Sequence, residues 1–273
     1  RWGHTTGHVW NFVLLPVNTT HLTVKLSPCY PETANALLTY YVGNGREIYM
    51  GLMRQSLPAF IISFIILIVG IYMLGYWLLV CKSEDVDATL LYLGLFSVLL
   101  GLWTANETDF AKLLLVNRHA TMFAAYILLM AMPIPFVLFV RSFLDFGDKN
   151  IWRVFCGFSM VMCVISCVLH FTGIWELRQS LILTHIVIVG LLIYLMRAIV
   201  FKFVKRQVGR RLRTCIAALI LVILASIADL INYYKVGGNT GILGRISFLI
   251  FIVILGVESA SKTASMLRRD RRV

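Results

Sequence analysis

Seven apolar stretches, each close to the length of a membrane-spanning helix, constrain the fold of this chain more than any other feature. An α-helix that rises about 1.5 Å per residue needs roughly 20 residues to cross about 30 Å of hydrocarbon. The stretches are 57–80, 88–105, 119–140, 151–173, 179–200, 214–235 and 241–261. A segment inside a bilayer must satisfy its own backbone hydrogen bonds, and these continuous runs lack the alternation of barrel strands. The sequence therefore predicts an all-α membrane fold with seven transmembrane helices.

The composition agrees with a membrane protein, since 59% of the residues are hydrophobic, 14% are charged and the mean hydropathy is +0.84. The net charge is +12, and most of the excess lies in 197–213 and 262–272, beside the ends of predicted helices. Attraction to anionic lipid headgroups explains basic residues in such positions. We therefore predict the lipid bilayer as a partner and no binding of nucleic acid.

The Lys and Arg residues fall unequally on the two sides of the predicted spans. With the N-terminus outside, the four inner segments hold one, three, seven and five of the 25, and the outer segments hold the remaining nine. Positive residues are retained on the cytoplasmic side of membrane proteins. The chain is therefore predicted to be a multi-pass protein of the cell (plasma) membrane, with its N-terminus outside and its C-terminus in the cytoplasm.

Residues 1–52 differ in character from the rest of the chain. The run 21–27 alternates apolar and polar residues as a half-buried strand does, 37–42 is a second β-rich run, and 43–45 (Gly-Asn-Gly) is a turn signal. So few apolar positions cannot build an independent core. We interpret this region as a short β-rich remnant, the C-terminal part of an extracytoplasmic β-sandwich sensor domain.

The predicted spans lie within residues 53–264, which we interpret as one transmembrane domain. Residues 265–273 then begin a cytoplasmic linker to an effector domain. The chain has no initiator Met and stops on Arg-Arg-Val directly after a predicted helix has entered the cytoplasm. We expect both ends to lie inside a longer protein.

Ionisable and polar side chains gather near the outer ends of the predicted spans. Such groups are costly inside a bilayer and are candidates for function unless pairing explains them. Antiparallel neighbours place these residues at a similar depth, so we predict one polar layer that faces outside. Its members are Glu107, Arg118, His119, His170, His185, Asp229 and Asn232.

A structural role is the alternative for this layer, and the sequence favours it over ligand binding. The carboxylates of Glu107 and Asp229 would then pair with arginines and hold helices together. The candidate partners are Arg118, Arg178 and Arg245.

Glu258 and Lys262 lie four residues apart near the end of the last predicted span. A carboxylate followed by an ammonium at this spacing stabilises a helix by about 0.2–0.5 kcal/mol. We predict an ion pair at the point where the helix leaves the membrane on the cytoplasmic side.

Two local patterns predict how the spans are shaped and packed. Pro133 and Pro135 remove backbone donors and predict a kink in the third span, which is either a hinge or a packing feature. Gly94, Ser97 and Gly101 place small residues on one face of the second span, which permits close contact with another helix.

Motifs of catalytic and phosphate-binding sites are absent: the chain contains no G-x-G-x-x-G, P-loop, H-E-x-x-H or G-x-S-x-G. Three cysteines share a face of the fourth span, but there is no Cys-x-x-Cys pair and no aligned His. We predict no catalysis, metal or cofactor in these residues. A membrane enzyme built on His170, His185 and Asp229 is disfavoured because three helices would have to converge.

Two familiar seven-helix classes fit poorly. A retinal-binding rhodopsin requires a Lys in the middle of its last span, whereas Lys262 lies at the end. The signatures of G-protein-coupled receptors are also missing, since the third span ends in Val-Arg-Ser-Phe at 140–143 and the seventh has no Asn-Pro pair.

The chain instead resembles the bacterial seven-transmembrane receptors with diverse intracellular signalling modules. The resemblance covers about residues 20–265 and rests on the helix layout and several short patches. The patches are 38–43 (Leu-Thr-Tyr-Tyr-Val-Gly), 49–52 (Tyr-Met-Gly-Leu), 92–96 (Tyr-Leu-Gly-Leu-Phe), 103–107 (Trp-Thr-Ala-Asn-Glu) and 228–234 (Ala-Asp-Leu-Ile-Asn-Tyr-Tyr).

The resemblance implies an extracytoplasmic β-sandwich of jelly-roll type before the seven helices and an output domain after them. We therefore expect a signal-transduction receptor for an unknown extracellular small-molecule ligand, homodimeric through its effector. The expected effector is a GGDEF diguanylate cyclase outside this chain, and a histidine-kinase-coupled sensor of the same family is an alternative. A small multi-pass transporter is a further alternative, but it predicts inverted repeats and midplane charges that the sequence does not show.

Overall fold

The computed structural model describes residues 10, 12–16, 18–24, 40–81, 88–115, 118–144, 150–204, 210–236 and 242–270. This part of the chain forms nine α-helices and no strand. In chain order they are α1 (Gly45–Val80), α2 (Thr89–Asn106), α3 (Asp109–Leu114), α4 (Arg118–Ala131), α5 (Pro133–Leu144), α6 (Ile151–Phe171), α7 (Leu177–Val204), α8 (Arg210–Val236) and α9 (Ile242–Asp270).

Five helical segments in the described part of the chain are long and apolar enough to cross a membrane. They are Gly45–Val80, Thr89–Asn106, Ala120–Phe143, Ile151–Phe171 and Leu177–Phe201. The predicted sixth span falls in α8, whose apolar part, Ile216–Asp229, is shorter, and the predicted seventh falls in α9. The all-α membrane fold is thus confirmed, whereas the count of seven spans stays a prediction.

Helix α1 begins at Gly45, well before the apolar stretch that starts at residue 57. The side chain of Asn44 accepts a hydrogen bond from the backbone N–H of Arg46 at 3.0 Å, and Glu47 lies in the first turn, where a negative charge is favoured. Apolarity marks only the part of a helix that suits lipid, whereas capping decides where the helix starts. The helix therefore extends into the region predicted as part of the β-rich domain.

The predicted β-rich remnant is not confirmed. Within its two runs, residues 21–24 and 40–42 form no strand, while 25–27 and 37–39 lie outside the described residues. A strand needs neighbours to satisfy its backbone groups, and even a two-stranded hairpin is marginal alone in water. The alternating pattern by itself therefore does not establish a strand here.

Helix α2 lies at the centre of the bundle and contacts α1, α3, α4, α5 and α9. Small residues let it approach α1 closely: a Cβ added at Gly101 would lie 2.7 Å from the backbone N of Leu67. A Cβ added at Gly94 would lie 3.2 Å from the carbonyl oxygen of Gly70, and one added at Gly70 would lie 2.9 Å from Cβ of Ser97. The close contact predicted from Gly94, Ser97 and Gly101 is confirmed.

The third predicted span consists of two helices, α4 and α5, which are separated by Met132. Pro133 is the first residue of α5 and Pro135 the third. The first backbone N–H groups of a helix have no partner within it, so a proline there costs no hydrogen bond, whereas a proline in the interior removes one. The predicted kink at Pro133 and Pro135 therefore lies at a helix break.

Phenylalanines pack α5 against α2 and α9, and α2 against α9. The ring centroids of Phe96 and Phe136 are 4.6 Å apart, those of Phe136 and Phe251 6.0 Å, and those of Phe96 and Phe248 5.8 Å. Aromatic pairs at such distances contribute about 0.5–1.5 kcal/mol beyond the area they bury. The middle of α9 is thus packed tightly on the central helix.

Candidate functional site

A group of charged side chains lies where α2 and α8 end and α9 begins. Glu107 follows the last residue of α2, Asp109 and Lys112 belong to α3, Asp229 is near the end of α8, and Arg245 is in the first turn of α9. We call these five residues the Arg245 cluster. It contains two members of the predicted polar layer, Glu107 and Asp229.

Arg245 is the cation at the centre of the cluster. Its Nη2 donates a long hydrogen bond, 3.5 Å, to the carbonyl oxygen of Thr104 in the last turn of α2. It also interacts electrostatically with the carboxylates of Glu107, Asp229 and Asp109. Removing a guanidinium from water is costly unless opposite charges lie beside it. The three carboxylates offset part of that cost. Arg245, one of the three arginines predicted as partners, interacts electrostatically with both Glu107 and Asp229.

Asp229 ties the end of α8 to the beginning of α9. Its carboxylate accepts a hydrogen bond from the backbone N–H of Gly244, one of the first N–H groups of α9, which have no partner within the helix. A negative charge at this end of a helix is also favoured by the helix dipole. A Cβ at Gly244 would overlap Oδ2 of Asp229. The absence of a side chain at Gly244 therefore leaves the space that the Asp229 carboxylate occupies.

The short helix α3 connects the cluster to α1. Nζ of Lys112 lies 3.4 Å from Oε2 of Glu107, an ion pair that links α3 to the end of α2. On its other side, the ring of Phe110 packs on Phe60 of α1, with the ring centroids 4.5 Å apart. Through these two contacts α3 bridges α1 and α2 at the end of the bundle where Arg245 lies.

Two of the three predicted histidines, His170 and His185, lie in helices that do not contribute to the cluster. His170, near the end of α6, packs against Phe123 and Phe171, with ring centroids 6.1 and 5.8 Å apart. His185 is partly buried in α7. Within the described residues, no group of three or more His, Cys, Asp or Glu is arranged to hold a metal ion. Because its neighbours are phenylalanine rings, His170 is better suited to packing than to proton transfer.

Other predicted site residues stay predictions. Asn232 is partly buried in α8, but the side chains of Arg118 and His119 lie outside the described residues. Glu258 is partly buried in α9, whereas the side chain of Lys262 also lies outside them. The predicted ion pair at the helix exit is therefore not tested.

The sequence analysis did not identify Asp109, Lys112 and Gly244 as members of the site. Asp109 and Lys112 are three residues apart directly after the second apolar stretch. Opposite charges at this spacing are typical of one face of a helix. This signal indicates a short helix in what otherwise reads as a loop. No local sequence pattern marks Gly244, because its role depends on the position of α8 in the folded protein.

Fold and site together define an α-helical membrane protein in which a partly buried cluster of charged residues lies at the ends of several helices. Residues 56–260 match the family model described as 7TM diverse intracellular signalling. The chain therefore belongs to this family of membrane-embedded signalling domains. No curated protein and no solved structure matches the chain.

We expect Asp229→Asn to lower the free energy of unfolding by about 1 kcal/mol, and Asp229→Ala by about 2–3 kcal/mol. Asparagine keeps an acceptor for the N–H of Gly244 but loses the charge beside Arg245, whereas alanine loses both. Thermal unfolding of the purified protein in detergent measures the difference. Ile231→Ala, at an exposed position two residues further along α8, is the control. Equal losses for all three variants would contradict the capping role of Asp229.

Proposed function

We propose that the chain is the transmembrane part of a signal-transduction receptor. It crosses the cell membrane seven times, with its N-terminus outside and its C-terminus in the cytoplasm. The spans are α1, α2, α4 with α5, α6, α7, α8 and α9. A small-molecule stimulus from outside changes the Arg245 cluster, and α9 passes that change to a cytoplasmic effector.

One observation carries the proposal: α9 is a single helix that joins the cluster to the opposite side of the bundle. Its 29 residues correspond to about 43 Å at 1.5 Å per residue, which exceeds the roughly 30 Å of a bilayer core. It begins beside Arg245 and ends with Arg268, Arg269 and Asp270. A helix that is longer than the membrane is thick, and held at its first turn by charges from α2, α3 and α8, suits the transmission of movement.

The distribution of basic residues supports the orientation. The last turns of α9 and the first turn of α8 carry arginines. With the C-terminus in the cytoplasm, both groups of arginines lie on the cytoplasmic side of the membrane. The Arg245 cluster then lies at the outer end of the bundle. A ligand from outside reaches it without crossing the hydrocarbon core.

We propose a GGDEF diguanylate cyclase as the effector, in a homodimer held together by that effector. Membership in a family of diverse intracellular signalling supports a cytoplasmic output domain. A histidine kinase is the alternative within the same family, and the two differ in product, cyclic di-GMP or phosphohistidine. Expression of the gene in its native reading frame, followed by assay of both products, distinguishes them.

The orientation predicts the accessibility of two exposed positions, Thr172 after α6 and Asn150 before it. We expect Thr172→Cys to react with a membrane-impermeant maleimide in intact cells, and Asn150→Cys to react only after lysis. Both variants are made in a background in which Cys29 and Cys81 are replaced by serine. The opposite labelling pattern would overturn the orientation, and labelling of both in intact cells would overturn the span between them.

Signalling is tested with the full chain joined at Val273 to a diguanylate cyclase domain. We expect Asp229→Asn to change the cellular level of cyclic di-GMP by about threefold or more at an equal amount of folded protein, because it alters the balance between two states of the cluster. Ile231→Ala is expected to leave the level unchanged, because Ile231 is exposed on α8 and does not belong to the cluster. Unchanged output in both variants contradicts the receptor proposal.

A further inference from the structure

We propose that the junction of α5 and α6 binds the phosphate group of an anionic phospholipid. The site consists of Arg141 in the last turn of α5 and of Trp152 and Arg153 in the first turn of α6. This inference goes beyond the proposed receptor function and does not depend on it. Only the leaflet, the cytoplasmic one, follows from the proposed orientation.

Both arginines of this phosphate site lie against one indole ring. Cζ of Arg141 is 3.9 Å from the centroid of the Trp152 ring, and Cζ of Arg153 is 5.4 Å from it. A guanidinium over an aromatic ring is stabilised through its flat face, so the N–H groups at its edge remain available to an anion. The ring therefore places two forked donors close to one another.

The edge donors of the two arginines are available within the part of the chain that the structure describes. No hydrogen bond or ion pair to a described residue occupies the guanidinium of Arg141 or of Arg153. Two guanidinium groups beside one ring repel one another, and a phosphate between them offsets that repulsion while it accepts their hydrogen bonds. The stack on Trp152 explains where Arg141 lies, but it gives no reason for a second arginine at the same ring.

The beginning of α6 adds a further attraction for an anion. The side chain of Asn150, the residue before the helix, makes no capping hydrogen bond to the first turn. The first N–H groups of a helix carry the positive end of its dipole and favour a phosphate. Since Trp152 and Arg153 belong to this turn, the guanidinium groups and the helix dipole favour the same class of ligand.

An exposed apolar face continues from Arg153 along α6 and favours a lipid over a free phosphate. Gly157, Met160 and Val164 follow at spacings of four, three and four residues, which place them on one face of the helix. Met160 and Val164 are 58% and 62% exposed, and a Cβ added at Gly157 would meet no atom within 4 Å. The missing side chain at Gly157 therefore leaves room for an acyl chain beside a phosphate held by Arg153.

The test measures phospholipid retention by native mass spectrometry, with the protein taken from nanodiscs of phosphatidylglycerol and phosphatidylcholine in equal amounts. We expect preferential retention of phosphatidylglycerol, and a loss of affinity of about threefold to tenfold in Arg141→Gln and in Arg153→Gln, because each removes charge-assisted hydrogen bonds. Arg213→Gln is the matched control. Arg213 is an exposed arginine at the beginning of α8, on the proposed cytoplasmic side, and its replacement is expected to leave the affinity unchanged.

A second measurement separates a lipid from a free phosphate. Glycerol phosphate carries the same charged group without acyl chains and is not expected to displace phosphatidylglycerol. Gly157→Leu fills the space beside the helix and is expected to lower retention, whereas Gly75→Leu, at an exposed glycine of α1, is not. Displacement by glycerol phosphate, or equal retention in both leucine variants, would overturn the lipid as the ligand.

Equal retention of the two phospholipids would overturn the site, and so would an equal loss of affinity in Arg213→Gln, which would assign the preference to surface charge in general. If Arg141→Gln does not fold, Arg141→Lys replaces it. Lysine keeps the charge but not the planar fork, so the affinity is still expected to fall. The assay requires no effector, so its failure leaves the receptor proposal intact, and an unresponsive chimera leaves the lipid site intact.

Discussion

Replacement of Gly101 by Leu is expected to prevent α1 and α2 from packing and to remove most of the folded protein from the membrane. The Cβ alone would lie 2.7 Å from the backbone N and 2.8 Å from Cα of Leu67. Backbone atoms cannot rotate away as a side chain does, so the two helices must separate. Overpacking a core costs about 1–3 kcal/mol where side chains can adjust. We expect that range for Gly101→Ala and a larger loss for Gly101→Leu.

Gly75→Leu is the matched control, because Gly75 lies on an exposed face of α1 and nothing would contact an added Cβ within 4 Å. A substitution at such a position usually changes stability by less than about 0.5 kcal/mol. The yield of monodisperse protein after extraction and the thermal unfolding midpoint measure both variants. An equal loss for Gly75→Leu and Gly101→Leu would show that helix propensity and not close packing decides the outcome.

The small-residue face of α2 shows what the sequence alone can predict about packing. Gly94, Ser97 and Gly101 recur at helical spacing, so the existence of a close helix contact is a local property of one segment. The helix that this face contacts cannot be predicted from the segment itself. Gly70 and Leu67 of α1 complete the contact only because α1 folds back beside α2, and no pattern within either segment specifies that neighbour.

The same limit applies to the charged residues. The positions of Glu107 and Asp229 near the outer ends of spans follow from their distance along each apolar stretch, and the structure brings both beside one arginine. The choice of that arginine depends on which helices are adjacent. Since α8 and α9 are consecutive and α9 contacts α2, Arg245 meets carboxylates from both.

Sequence patterns predict a helix boundary best where one or two residues decide the backbone conformation. Pro133 marks the boundary between α4 and α5, because a proline at the start of a helix costs no hydrogen bond. The six residues of α3 are too few to show a hydrophobic period, so this helix was not predicted. The early start of α1 depends on the cap at Asn44, which the sequence analysis interpreted as part of a turn.

The second large effect is expected from Arg245→Gln, which should lower the free energy of unfolding by about 2–4 kcal/mol. The hydrogen bond to the carbonyl oxygen of Thr104 is long, 3.5 Å, so its loss is not the main effect. The loss arises because Glu107, Asp109 and Asp229 then lose the cation with which all three interact electrostatically. Chemical or thermal unfolding in detergent at fixed pH measures it. Lys112→Gln removes the other cation of the cluster, but from a partly exposed pair, and is expected to cost about 1 kcal/mol or less.

A double variant decides whether the cost of Arg245→Gln comes from uncompensated charge. In Arg245→Gln combined with Asp229→Asn, one carboxylate is neutralised together with the cation, so fewer like charges oppose one another. We expect the double variant to be destabilised by less than the sum of the single effects, with a difference of about 0.5–3 kcal/mol. Strict additivity would mean that Arg245 and Asp229 stabilise the bundle independently. The junction of α8 and α9 would then be held by the hydrogen bond between Asp229 and Gly244 and not by the charges around Arg245.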